Sequence, residues 1–142
     1  MRPLAASDAP EVAALEAEAR MAIADARGGA ALLAGSPEVG DWLGHVADPA
    51  RPTWVGTIDD VVVGVLALAV GGAIARVQQV WVTPEARELG LGDELLATAV
   101  AAARAAGCTR LDGWALPGDR ETKNLYERAG ITARLIVVST PL

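Results

Sequence analysis

The sequence has 142 residues, of which 52% are hydrophobic and 21% are charged, a balance typical of one globular domain and not of a disordered chain. Its net charge of −6 gives no overall basic footprint for duplex DNA or tRNA, so nucleic acid is not an expected partner. The amino terminus lacks a basic-then-apolar leader, and no apolar run approaches the length of a membrane span. We therefore expect a cytoplasmic protein without a membrane partner. Cys108 is the single cysteine, which excludes an intrachain disulfide.

The first third of the chain predicts a short strand followed by two helices. Arg2 to Leu4 is expected at a sheet edge, because a proline lacks the N–H that a central ladder needs. Apolar residues recur at helical spacing from Ala9 to Ala26, with Asp8 as the expected amino-terminal cap. Ser36-Pro37, a capping residue followed by proline at the first helical position, predicts the start of the second helix.

An antiparallel meander of three strands is predicted next. Thr53 to Ile58 and Val61 to Val70 are joined by the turn Asp59-Asp60, and Ala73 to Val82 follows the turn Gly71-Gly72. The middle strand is almost wholly apolar, so we expect it to be buried on both faces.

The second half alternates helices and strands. The patterns predict a long helix from Gly90 to Ala106, a strand from Arg110 to Trp114, a helix from Arg120 to Ala129 and a last strand from Ile131 to Ser139. A strand, a helix and a second strand in succession should place Arg110 to Trp114 parallel to the strand Ala73 to Val82.

A glycine loop, Arg87-x-x-Gly90-x-Gly92, joins the third meander strand to the long helix. Backbone N–H groups at a helix amino terminus have no intrahelical acceptor, and the helix dipole places partial positive charge there. Glycines would let a large anion approach those groups. The loop alone leaves two interpretations open, a phosphate site or a tight turn that binds nothing.

Two linked motifs resemble the GNAT acetyltransferase family. The glycine loop, preceded by Val80-x-Val82-x-Pro84, is similar to the family's Arg/Gln-x-x-Gly-x-Gly/Ala signature. The second motif is similar to Asn-x-x-Ala-x-x-Leu-Tyr-Glu-x-x-Gly-Phe, and it reads here Asp119-x-x-Thr122-x-x-Leu125-Tyr126-Glu127-x-x-Gly130-Ile131. The resemblance implies an α/β fold in a single domain covering residues 1–142. Its central sheet would be mixed and mostly antiparallel, with about six strands and about four flanking helices.

The resemblance implies acetyl-CoA, or another acyl-CoA, as the donor and no metal. The loop N–H groups would hold the pyrophosphate. The strand edge, splayed from the strand Arg110 to Trp114, would pair with the pantetheine amides. A backbone N–H near Val82 would polarise the thioester carbonyl. The implied donor-binding residues are Val80, Trp81, Val82, Arg87, Glu88, Leu89, Gly90, Leu91, Gly92, Asp93 and Asp119.

The resemblance further implies that a neutral amine attacks the thioester directly and that Tyr126 donates a proton to the leaving CoA thiolate. The alternative for Tyr126 is a ring packed on the sheet with its hydroxyl at the surface. Two departures from the family pattern stand out. Asp119 replaces the Asn that contacts pantetheine, and Gln78 and Gln79 stand where many members carry an acidic base. The remaining candidates for the base are a water chain, His45, Asp41 and Asp112.

Only one strand is predicted after Gly130, whereas the family usually ends with two strands that wall the acceptor site. We therefore expect a homodimer in which a second subunit completes that site. The acceptor cannot be identified from the sequence, although Arg27, Trp42 and Trp54 could line its pocket. The leading hypothesis is an N-acetyltransferase. The alternatives are a non-catalytic acyl-CoA-binding or regulatory module and an acetyltransferase that acts on charged tRNA.

Overall fold

In the computed structural model, which describes residues 1–142, four α-helices pack on a five-stranded sheet. The strands are β1 (Arg2–Pro3), β2 (Thr53–Ile58), β3 (Val61–Gly71), β4 (Ile74–Val82) and β5 (Arg110–Asp112). The helices are α1 (Ala9–Ala24), α2 (Gly29–Gly35), α3 (Leu91–Ala105) and α4 (Arg120–Arg128). Short 3-10 helices cover Ala6–Asp8, Leu43–His45 and Pro84–Leu89. None of the helices is both long enough and apolar enough to cross a bilayer.

The strands are ordered β1-β2-β3-β4-β5 in the sheet; β1 to β4 are antiparallel, and β5 runs parallel to β4. The meander and the parallel fifth strand are thus confirmed, although β5 ends at Asp112, two residues before its predicted end. Asp59 and Asp60 form the first turn with φ of 49° and 65°, the conformation whose twist suits a two-residue hairpin. The second turn is centred on Gly72 and Ala73, one residue later than predicted.

Two apolar clusters cover the two faces of the sheet, as the alternation along β3 requires. Leu66 and Leu68 point to one face, where they pack with Leu95, Leu96 and Ala99 of α3. Val65 and Ala67 point to the other face, where they pack with the following residues of α1 and its surroundings: Leu4, Val12, Leu15 and Trp42. The middle strand is therefore buried on both faces, as predicted.

The predicted second helix is wrong in its position. Ser36 ends α2 instead of beginning a helix, and residues 37–42 are irregular before the short turn at Leu43–His45. Helix α1 ends with Asp25 as its cap, and Gly28, with a φ of 79°, is the amino-terminal cap from which α2 begins. The Ser-Pro signal fails because backbone N–H groups of Val39 and Gly40 are bonded to a buried side chain from α1, described below.

The predicted last strand, Ile131 to Ser139, is also wrong, so the sheet has five strands and not six. The Ile131 N–H closes the end of α4 on the Tyr126 carbonyl, and residues 132–142 have no backbone hydrogen bond beyond it. The apolar run is open to solvent, with Ile136 81% and Val138 89% exposed. A β-branched run forms a strand only against a partner strand, and no strand of the chain pairs with this one.

The cap predicted for α1 differs in detail. Asp8 occupies the cap position, but its carboxylate turns back to the Ala5 N–H at 2.8 Å and to the Arg2 guanidinium. Glu11, three residues farther on, accepts the Val62 N–H at 3.1 Å. These contacts attach the amino terminus and α1 to the sheet.

Candidate functional site

The site begins where β4 and β5 separate. They pair only from Ile74 with Arg110 to Arg76 with Asp112. One residue later β4 carries a bulge: Ala67 faces Gln79 and Leu68 faces Val77, which leaves Gln78 as the extra residue. A bulge bends a strand and increases its local twist. The second half of β4 therefore has no strand beside it on the β5 side.

The open edge of β4 presents backbone groups of alternate residues. The Thr83 N–H donates to Val63 O at 2.9 Å, on the β3 side. Because successive residues of a strand point their backbone groups to opposite sides, the groups of Val82 and Val80 face the open edge. The Val82 carbonyl already accepts the Arg87 Nε at 3.0 Å. The Val82 N–H and both backbone groups of Val80 remain for a ligand that lies along the edge.

The glycine loop follows this edge directly. Gly90, with a φ of 78°, joins the 3-10 helix Pro84–Leu89 to α3, and only glycine adopts this conformation without strain. The first bond of α3 runs from Glu94 N to Gly90 O at 3.1 Å. The N–H groups of the residues between them precede that bond and have no acceptor within the helix. A Cβ on Gly92 would lie 3.3 Å from Leu125 Cδ1, so this glycine also lets α3 approach α4 closely.

A cleft of about 620 Å³ joins the strand edge and the loop, and we call it the donor cleft. This volume lies within the range of roughly 300–1,000 Å³ that is usual for ligand pockets. Its walls come from β4, the glycine loop, α4 and one face of α1. The predicted donor-binding residues that line it are Val80, Trp81, Val82, Arg87, Glu88, Gly92, Asp93 and Asp119.

Both arginines of the donor cleft are paired with acids. The Arg87 guanidinium lies over the Trp81 ring, 4.6 Å from its centroid, and forms an ion pair with Glu121 of α4. The second pair joins Arg128 of α4 to Asp93 of α3 at 2.8 Å. The two ion pairs bridge from the glycine-loop side of the cleft to α4. Any anion that enters the cleft therefore competes with side-chain carboxylates for these arginines.

Tyr126 is buried at the inner end of α4 and packs against Gly113. A Cβ at Gly113 would overlap the tyrosine ring and hydroxyl, so only glycine fits there. Burial raises the pKa of the Tyr126 phenol far above its ordinary value, and a hydrogen bond from the Trp114 backbone N–H offsets part of that rise. The phenol is therefore protonated, and able to donate, at any pH at which the protein would be assayed.

Tyr126 lines a second, smaller cavity of about 100 Å³, which we call the acceptor-side cavity. It lies between α1, α2 and the bulged part of β4, and Gln78 and Gln79 form part of its wall. Six residues line both spaces, so the two spaces adjoin along the strand edge: Ile23, Val80, Trp81, Leu116, Asp119 and Thr122.

Several candidate residues from the sequence lie elsewhere. The possible bases His45, Asp41 and Asp112 line neither space, and the same is true of Arg27, Trp42 and Trp54. His45 is buried with its Nδ1 3.0 Å from Thr53 Oγ1, and burial, followed by the charge of Arg51, lowers its pKa. It is a core residue beside the Trp42 ring. No group of three or more His, Cys, Asp or Glu side chains has the arrangement of a metal site.

Asp119 lies at the junction of the two spaces, but its carboxylate is already bonded. It accepts the Thr122 N–H at 3.0 Å and the Thr122 hydroxyl at 2.7 Å, and it thereby caps α4. Asp119 thus caps α4, and Thr122, where the family carries Ala, adds a hydroxyl bond to that cap. A contact between the Asp119 side chain and the donor stays a prediction.

The sequence analysis missed Glu16, a buried acid on α1. Its carboxylate accepts three N–H groups: Val39 N at 2.6 Å, Gly40 N at 3.3 Å and Trp42 Nε1 at 2.8 Å. A signal was present, because position 16 falls on the same helical face as the core residues Val12 and Ala19. A charged residue on an apolar face needs a buried partner, and here the partner is the irregular segment 37–42.

Comparisons with known proteins agree with this geometry. The model of the acetyltransferase (GNAT) family matches residues 20–131. The comparison with curated proteins gave no significant match. Among solved structures, a tetramutant of the BH1408 protein from Bacillus halodurans has a TM-score of 0.80 at 14% identity, with 99% of this chain and 98% of that chain covered.

Two further structures are acetyltransferases. The aminoglycoside N-acetyltransferase AAC(6')-Iy in complex with CoA has a TM-score of 0.65 at 18% identity, with 99% of this chain and 98% of that chain covered. A ribosomal-protein-alanine N-acetyltransferase from Brucella melitensis has a TM-score of 0.67 at 18% identity, with 99% and 94% covered. At these identities the structures show a shared fold, and the family model adds the sequence signature. The chain belongs to the GNAT acetyltransferase family.

Proposed function

We propose that this protein is an N-acetyltransferase that moves the acetyl group of acetyl-CoA to a primary amine. The observation that carries the proposal is the open edge of β4, which runs from the glycine loop to the junction with the cavity that holds Tyr126. One end of this edge suits a pyrophosphate, and the other offers a backbone N–H and a phenol to a thioester.

The donor site would be built mainly from backbone. N–H groups from Glu88 to Asp93 would hold the pyrophosphate, helped by the dipole of α3. The pantetheine amides would pair with Val80 and Val82 as an added strand. This part of β4 faces no strand on that side, so the pairing displaces nothing. Glu88 is exposed, and its carboxylate would point to solvent, away from the phosphates.

Acetyl-CoA supplies the activated acyl group, and the chain positions it and moves protons. The Val82 N–H would donate to the thioester carbonyl oxygen and stabilise the negative charge that develops there. Tyr126 would give its proton to the sulfur as the carbon–sulfur bond breaks and the carbon–nitrogen bond forms. The Trp114 N–H at the same hydroxyl would stabilise the phenolate left behind.

The ammonium form of the acceptor loses two of its three protons during the reaction. One must leave before the attack, and the other would leave the nitrogen after the attack and restore the Tyr126 phenol, whose own proton has gone to the sulfur. Gln78 and Gln79 line the acceptor-side cavity, but an amide is not a base. The possible bases His45, Asp41 and Asp112 lie outside both spaces. We therefore propose that water in the cleft takes this proton to solvent.

The direct test is Tyr126→Phe. We expect turnover, measured as CoA release with a reactive amine, to fall by about 100-fold, the lower range for loss of a general acid. The Kd for CoA, measured by calorimetry, should be unchanged, because the ring and its packing against Gly113 remain. Wild-type turnover in this variant would reject the acid role.

The main alternative is a non-catalytic acyl-CoA-binding or regulatory module, which the neutral pair Gln78 and Gln79 favours. Tight CoA binding without CoA release across a broad panel of primary amines would establish it. Action on charged tRNA has less support, because both arginines of the donor cleft are paired with acids and the chain carries a net charge of −6.

We also propose a homodimer. The outer edge of β5 has no partner strand, and the apolar run Leu135 to Val138 is exposed. Exposed edges and unpaired β-branched segments pair readily with each other. A chain ending at Ile131 should sediment as a monomer, and the whole chain as a dimer. A monomeric whole chain with full activity would refute this proposal.

A further inference from the structure

The acceptor-side cavity carries information on the amine that it can take. Its volume is about 100 Å³, and 12 of its 20 lining residues are hydrophobic. An apolar cavity of about 150 Å³ holds one benzene ring; this space is about two thirds of that size but opens onto the donor cleft, so it suits a short branched chain or one small ring. The apolar part of the wall includes Ala19, Ile23, Leu32, Leu33, Val39 and Trp114.

The charges in this wall are already satisfied. Both acids, Glu16 and Asp119, have their oxygens bonded by N–H or hydroxyl donors. The Arg20 guanidinium donates to Ser36 O at 2.8 Å and lies 3.8 Å from the Glu38 carboxylate. A polycationic acceptor needs free carboxylates to replace the water around each ammonium group. This cavity offers none, and the other polar side chains in its wall, among them Gln78, Gln79 and Tyr126, carry neutral amides, hydroxyls and indoles.

The cavity cannot widen without breaking hydrogen bonds. Val39 forms part of the wall, and its backbone N–H is bonded to Glu16 at 2.6 Å. The same carboxylate holds Gly40 and the indole of Trp42, which is 2% exposed. Moving the segment outward would leave a buried carboxylate and a buried indole N–H without partners, so the wall at Val39 is held in place.

We infer that the acceptor is a primary amine with one compact, uncharged and mainly apolar substituent, such as an arylalkylamine or a branched alkylamine. This inference rests on the proposed acetyl transfer. It sets this site apart from an aminoglycoside acetyltransferase of the same fold, whose acceptor is a bulky polycation. The amine nitrogen would lie at Gln78 and Gln79, beside the strand edge, and the substituent would fill the apolar end near Leu33.

The test compares four amines at equal concentration with saturating acetyl-CoA. We expect kcat/KM for CoA release to be at least about tenfold higher with 2-phenylethylamine and isobutylamine than with spermidine and neamine. A preference for spermidine or neamine overturns the inference and leaves the acetyl transfer standing. CoA binding without release from any of the four, or from a wider amine panel, overturns the proposed function and this inference together.

A pair of variants tests whether the cavity itself sets the preference. Leu33→Ala enlarges the cavity and should raise the kcat/KM ratio of 4-phenylbutylamine to 2-phenylethylamine by about tenfold. Leu43→Ala is the control, because Leu43 is 62% exposed and lines neither space. An equal ratio in the two variants overturns the assignment of the cavity.

A third variant makes the opposite change. Val39→Trp fills the cavity and should lower kcat/KM for 2-phenylethylamine at least about tenfold, with the Kd for CoA unchanged because Val39 does not line the donor cleft. Calorimetry with CoA confirms that this variant is folded. Full activity of a folded Val39→Trp protein would also overturn the inference.

Discussion

The replacement Glu16→Gln tests whether one buried carboxylate holds the segment that walls the acceptor-side cavity. The Gln side chain keeps one oxygen, which can still accept the Val39 N–H. Its NH₂ group then faces the N–H groups of Gly40 and Trp42, a donor opposed to two donors. The Trp42 indole cannot turn to water, because the residue is 2% exposed.

The magnitude follows from these bonds. A hydrogen bond to a charged group contributes about 1.5–3 kcal/mol, and a buried donor left unpaired costs about 1–3 kcal/mol. The lost hydrogen bond and the unpaired donor are one change, mainly at the Trp42 indole, so we count it once. We expect Glu16→Gln to lower the free energy of unfolding by about 3 kcal/mol. For a chain of this size that corresponds to a fall in Tm of about 9 °C.

Urea unfolding followed by tryptophan fluorescence measures this change. The matched control is Glu18→Gln, on the same helix, because Glu18 takes part in no ion pair and its carboxylate accepts no hydrogen bond from the protein. We expect the control to change the free energy of unfolding by less than about 0.5 kcal/mol. If the two variants are equally stable, Glu16 does not hold the segment 37–42, and the wall of the acceptor-side cavity at Val39 is not rigid.

Three further predictions concern the donor cleft and the amino terminus. Gly90→Val should lower the affinity for CoA, measured by calorimetry, at least about tenfold. Gly107→Val is the control and should leave the affinity unchanged. Both glycines have a positive φ and open surroundings, so the two substitutions should lower stability by similar amounts. Glu121→Gln frees Arg87 and removes a negative charge, so CoA should bind a few-fold more tightly at low salt, with the gain lost in high salt. The hydrogen bond from an arginine lowers the pKa of Asp8 in the folded state. The stabilisation that comes from this lowered pKa is therefore present above about pH 4 and is lost as the pH falls through the lowered value. Asp8→Asn removes the titrating group, so the free energy of unfolding should fall less steeply at acid pH in this variant than in the wild type.

Local patterns predicted the sheet well because each of its strands satisfies a local rule. The φ values of Asp59 and Asp60 match the hairpin that their sequence suggests, and the apolar strand Val61 to Gly71 is buried on both faces. The cap at Asp119 also follows a local rule, since the capping carboxylate and the Thr122 N–H that donates to it lie three positions apart. The turn and the cap are set by contacts within a few residues along the chain, and the burial of the strand follows from its almost unbroken apolar composition.

The two errors of the sequence analysis come from contacts that no local pattern contains. The Ser36-Pro37 signal is valid by itself, but the carboxylate of Glu16, more than twenty residues away, captures the N–H groups of Val39 and Gly40. The segment after Gly130 has the composition of a strand, yet strand formation depends on a neighbour, and β5 ends after only three residues. Long-range partners override local propensity in both places.

The difference between local and long-range contacts also explains why the donor could be inferred from the sequence and the acceptor could not. The donor site consists of backbone groups at Val80, Val82 and the start of α3, and a motif describes backbone geometry because glycine and strand periodicity dictate it. The acceptor-side cavity consists of side chains from α1, α2, the irregular segment and β4, which are far apart in the chain. Its shape depends on Glu16, whose partners only the fold reveals. A relative could therefore keep the glycine loop and the tyrosine of α4 unchanged and still take a different amine, because one substitution in the cavity wall alters the space without touching the donor motif.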